Sequence, residues 1–110
     1  MTPDLTRALP AARALAWAMR PPRSAERDRA ASGMILDLLP AIYPLEADPE
    51  TAGDAAAVLD AAATVRVSLG ELAEDSAERR AWPPRPSRSA LLPAVERVAR
   101  RFAVGEGRAA

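Results

Sequence analysis

A chain of 110 residues with 15 basic and 15 acidic side chains has room for one domain and carries no net charge. It contains no Cys, His, Lys, Asn or Gln. That excludes disulfides, thiolate and Schiff-base nucleophiles, Cys-ligated metal, the commonest general base and the lysine of a phosphate-binding loop.

The neutral total hides a sorted distribution. Residues 1–30 carry six Arg against three acids, residues 31–78 ten acids against Arg66, and residues 79–110 eight Arg against two acids. Such blocks favour packing of the basic ends on the acidic middle, or docking onto a charged partner. Half of the apolar residues are Ala, the strongest helix former, and branched and aromatic residues are scarce. The expectation is a helical domain with a thin core. The all-Arg basic set beside so much Ala and Pro is the mark of GC-rich coding. No run of about 20 residues is apolar throughout, so no membrane span is expected. The apolar run Ala14–Met19 is too short, between Arg13 and Arg20, for a signal peptide. A cytoplasmic, bacterial protein is the expectation.

Apolar residues at alternating steps of three and four mark four seams. The first is Leu5, Leu9, Ala12, Ala16 and Met19. Thr2 can cap this helix, Pro3 suits its first turn, and Pro10 kinks it or starts a shorter one. Arg20-Pro21-Pro22-Arg23 ends it. The second seam is Ala31, Ile35, Leu38, Ile42 and Leu45, with Ser24 as cap, a bend at Pro40 and an end or second bend at Pro44.

The third seam is Ala55, Val58, Ala62, Val65, Leu69 and Leu72, opened by Asp48-Pro49-Glu50. It keeps its phase across Gly70, which favours one helix from about Glu50 to Ala81. The alternative is a break at Ser68-Leu69-Gly70-Glu71, which fits a capping box. The last seam is Leu91, Val95, Val98 and Phe102, capped by Ser89 and ended by Gly105 and Gly107. A stiff proline-rich connector, Trp82 to Arg88, precedes it.

Residues Ser68 to Glu74 resemble the opening helix of a bacterial helix-turn-helix. Asp75–Trp82 and the proline connector then occupy the place of the turn and the recognition helix. Glu46, Asp48, Glu50 and Asp54 are too irregular for a calcium loop, with Pro49 among them. Glu71, Glu74, Asp75 and Glu78 form a candidate acidic surface. A di-metal carboxylate site there would need histidines that the chain lacks.

The candidate interaction surface is Trp82 with Arg79, Arg80, Arg85, Arg88, Arg97, Arg100 and Arg101. Its arginines either pair with the acidic third helix or dock a partner. Trp82 reads as the closure of a core end or as an interface anchor.

The sequence thus predicts an all-α bundle of four Pro-kinked helices, or five if the third breaks near Gly70. Residues 1–104 form one domain and 105–110 a flexible tail. The expected role is that of a non-enzymatic adaptor or accessory protein acting through protein contacts, as a homo-oligomer or as a subunit of a larger complex. No cofactor or metal is expected. The alternative is a nucleic-acid-associated regulator using the C-terminal arginines.

Overall fold

A computed structural model of the chain describes residues 5–71 and 87–109, with side chains as far as residue 105. Within them the fold is all-helical. Five helices run in order: α1 Leu5–Met19, α2 Ala25–Ser32, α3 Ile35–Ala47, α4 Ala52–Ser68 and α5 Arg88–Ala109. The proposed Thr2 cap lies outside the described residues.

The long helices form a ring. α1 packs against α3 and α5, α4 packs against the same two, and α1 meets α4 only lightly across the middle. Short α2 lies against both α1 and α4. It bridges the end of the bundle where α1 and α4 finish and α5 begins. The core is built from the expected seams: Leu9, Ala12 and Leu15 of α1, Leu38 and Ile42 of α3, Val58 and Val65 of α4, and Leu91, Val95, Val98 and Phe102 of α5. Alanines thread between them, so helices approach closely where little apolar area is available.

Several local expectations are corrected. The second seam is two helices, parted at Gly33 and Met34. Gly33 is the weak point, since glycine costs about 1 kcal/mol in a helix relative to Ala. Periodicity passes over a turn this short without losing phase. Ser24 does cap α2, accepting from the N–H groups of Glu26 and Arg27.

Pro40 and Pro44 lie inside α3 on exposed positions, and Pro10 lies exposed inside α1. On an exposed flank, water can satisfy the carbonyls that proline leaves without a donor. The α4 start slips to Ala52. Asp48 accepts instead from the N–H of Glu50 at 3.0 Å. Thr51 is buried, and its hydroxyl donates to the Leu45 carbonyl at 2.6 Å, which closes the end of α3.

The third seam does not continue as one helix: α4 ends at Ser68. Gly70 has φ +75°. Its N–H donates to the Val67 carbonyl at 3.0 Å, and the Glu71 N–H to the Arg66 carbonyl at 2.8 Å. This Schellman pair satisfies two of the last carbonyls and requires a left-handed residue, which glycine supplies without steric cost. The helix-end reading of Gly70 wins over the phase of the seam.

At the other end, Ser87 rather than Ser89 caps α5, accepting from the Ala90 N–H at 3.2 Å. α5 continues through Gly105 and Gly107 to Ala109. Gly105 has another use: a Cβ there would stand 2.6 Å from Leu5 Cδ1, so its bare backbone lets α5 pass the start of α1.

Candidate interaction surfaces

The densest polar arrangement is buried where α2 crosses the bundle end. Asp28 falls in helical phase with Ala31 and Ile35, so it faces inward with them, and it is 1% exposed. Arg88 meets it as a fork. Nη1 donates to Oδ1 at 2.8 Å and Nη2 to Oδ2 at 2.8 Å, while Nη1 also donates to the Ala18 carbonyl at 2.9 Å. The Ser68 hydroxyl donates to Asp28 Oδ2 and lies 2.8 Å from the Val65 carbonyl.

The Asp28–Arg88 pair therefore ties the end of α1, through the Ala18 carbonyl, the end of α4, through Ser68, and the start of α5 to α2. Burial alone would push the Asp28 carboxyl up. The hydrogen bonds from Arg88 and Ser68, with the charges of Arg88 and Arg23, outweigh burial and hold it below its ordinary value.

A serine beside an aspartate invites a catalytic reading, and the geometry argues against it. Asp28 is closed off from solvent and already accepts three bonds. A carboxylate with a lowered pKa and an arginine across both oxygens is a poor proton acceptor. The cluster is a structural latch.

A second clamp holds the α1–α2 turn. Arg27 Nη1 donates to the carbonyls of Arg20 at 3.2 Å and Pro22 at 3.1 Å, and the guanidinium lies 5.0 Å from the centre of the Trp17 ring.

The structure divides the predicted basic surface. Arg88 is removed from it: its side chain is only 16% exposed and is bound in the latch. Arg97 is exposed and grips Asp54 of α4 through Nε at 3.1 Å and Nη2 at 2.8 Å. That hydrogen bond, with the Arg97 and Arg101 charges, lowers the Asp54 carboxyl, and the same bond raises Arg97. Arg100 and Arg101 are exposed on the outer side of α5. Arg79, Arg80, Trp82 and Arg85 lie outside the described residues, as do Glu74, Asp75 and Glu78. Glu71 accepts from the Ser32 hydroxyl at 2.6 Å, which fastens the chain just after α4 to α2.

Asp54 is an acid of the middle block held by an arginine of the C-terminal block. Two further bridges among the described residues take their acids from the basic ends: Asp28 to Arg88, and Glu96 to Arg20 at 3.1 Å.

Two outer features were missed in the sequence. Leu36 and Tyr43 stand 80% and 56% exposed on α3, seven residues apart, with exposed Pro40 and Pro44 beside them. The signal was available, since both are apolar residues out of phase with the Ile35, Leu38, Ile42 seam. Between α1 and α5 runs an open groove of about 430 Å³, lined by Ala16, Ala99 and Ala103 with Arg13, Arg20 and Arg100 around them.

Among the described residues no group of three or more His, Cys, Asp or Glu could hold a metal ion, and no helix is long and apolar enough to cross a membrane. No protein-family model, curated protein or solved structure matches the chain.

Proposed function

We propose that this protein is a non-enzymatic helical adaptor that works through protein–protein contacts. The observation that carries the reading is the outer face of α3. Leu36, Pro40, Tyr43 and Pro44 make an uncharged, exposed stripe on a chain that has few large apolar residues at all. Contiguous exposed apolar surface of this kind marks interaction sites in soluble domains. A tyrosine flanked by rigid prolines is a favourable anchor, because few rotamers are lost on docking. The chemistry supports the same reading. Among the described residues the buried acid–hydroxyl pair of Asp28 and Ser68 is saturated, and the chain has no imidazole, thiol or amine side chain to act as base or nucleophile.

The test is site-specific photo-crosslinking in the native cell, with the reactive group placed at Leu36, at Tyr43 and, as control, at exposed Arg66. The expected result is a discrete protein adduct from the two α3 positions and none from the control. Absence of any adduct at Leu36 and Tyr43, or equal labelling at all three, overturns the reading.

A further inference from the structure

Two sets of exposed charges have no ion-pair partner among the described residues. Arg13 and Arg100 border the Ala-lined groove between α1 and α5, whose one acid, Glu96, is engaged by Arg20. Glu46 and Glu50 stand exposed with Asp48 at the α3–α4 corner, directly after the apolar stripe of α3. The two patches are opposite in sign and sit on different parts of one surface. A groove lined by alanine lets another helix approach closely, and its arginines suit a rim of carboxylates.

We propose that the α1–α5 groove receives the acidic α3–α4 corner of a second copy of this chain. Leu36 and Tyr43 lie along the same helix as that corner and come under cover with it. Reciprocal seating, groove to corner and corner to groove, closes a two-fold pair. A second copy is favoured over nucleic acid because the chain itself displays the complementary acids, and because Arg20, Arg88 and Arg97 are already held by carboxylates. The inference rests on the protein-contact reading above and adds the identity of the partner.

The experiment is sedimentation equilibrium of the full chain in about 50 mM salt, where exposed charges are weakly screened, and again in about 500 mM. Two double variants accompany it: Arg13→Glu with Arg100→Glu, and Glu46→Arg with Glu50→Arg. All four positions are exposed, and circular dichroism checks that each variant is helical. The wild type is expected to gain mass with concentration at low salt and to return toward monomer at high salt. Each variant alone is expected to associate at least about tenfold more weakly. An equimolar mixture of the two restores association, since every reversed groove then meets a reversed corner.

A wild type that stays monomeric at low salt overturns the inference, as does a mixture no stronger than its components. Retention of duplex DNA through Arg13 and Arg100 by a monomeric chain also overturns it. A monomeric wild type whose Leu36 and Tyr43 crosslink to a different protein removes the second copy and leaves the protein-contact reading in place. Neither association nor crosslinks removes both.

Discussion

Replacing Arg88 by Met tests whether the latch at Asp28 holds the bundle end together. Met keeps most of the apolar stem and removes the guanidinium. Three charge-assisted hydrogen bonds disappear, two to the carboxylate and one to the Ala18 carbonyl. Asp28 stays buried with only Ser68 as donor. Removing one partner of a buried pair costs about 3–5 kcal/mol, because the remaining charge is left desolvated. Against a total of roughly 5–15 kcal/mol for a domain of this size, that is a large fraction.

The pH dependence is more diagnostic than the size. In the wild type the Asp28 carboxyl is held below its unfolded value. Its contribution is therefore present above about pH 4 and is lost as acid takes the pH down through the folded value. In Arg88→Met, burial dominates and the carboxyl is pushed up instead. The folded variant then binds the proton more tightly than the unfolded chain, so the cost of the substitution shrinks as pH falls from about 7 toward 5. Urea unfolding followed by circular dichroism at several pH values measures both effects. A loss below about 1 kcal/mol, or a loss independent of pH, would refute the latch. The double change Asp28→Leu with Arg88→Met should be less damaging than Arg88→Met alone, since no buried charge is left without a partner.

Other substitutions separate core from surface and good glycines from weak ones. Leu15→Ala, at a fully buried position, should cost about 2–5 kcal/mol in the same unfolding assay. Leu36→Ala should change monomer stability by no more than about 0.5 kcal/mol, because that side chain is mostly in water. Gly53→Ala places a methyl in open space at the start of α4 and should stabilise by about 0.5 kcal/mol, read as a rise in the urea midpoint. Gly70→Ala is expected to destabilise by about 1–2 kcal/mol, because the Schellman turn needs φ +75° there. A Gly70→Ala variant that is stabilised as Gly53→Ala is would contradict the assignment of Gly70 as the α4 terminator.

The fold class and most core positions were legible because they depend on period alone. Leu9, Leu38, Val58 and Val95 recur at helical spacing whatever they pack against. Helix boundaries were less legible, for a common physical reason. A seam reports which face is apolar, and a two-residue interruption such as Gly33-Met34 shifts that face too little to be seen. Gly70 shows the competing signal. Its conformational freedom supplied a left-handed helix end even though the seam stayed in phase. Gly105 shows the converse, a glycine inside a continuing helix, close against the Leu5 side chain. Asp28 could have been found. An acid in phase with Ala31 and Ile35 must be buried, and a buried carboxylate requires a cation. What period could not supply was the identity of that cation, 60 residues further along the chain.

The charge blocks invite a simple model, in which the basic ends neutralise the acidic middle within one molecule. The observed bridges argue for a different division of labour. The best-buried pair joins Asp28 and Arg88, both from basic blocks, and it fixes the order of three helix ends. Arg20 and Glu96 likewise come from the two ends and tie α1 to α5. Among the described residues, these two pairs use acids of the basic blocks to bind those blocks to each other, beside the one bridge from Arg97 to Asp54 of the middle. Glu46 and Glu50 of the middle, and Arg13 and Arg100 of the ends, are left exposed without ion pairs among the described residues. Exposed pairs stabilise a monomer by only about 0–1 kcal/mol each, so little folding energy is forgone by leaving them apart. Their separation gives the molecule two complementary poles, which matter far more to encounter and orientation between molecules than to the stability of one.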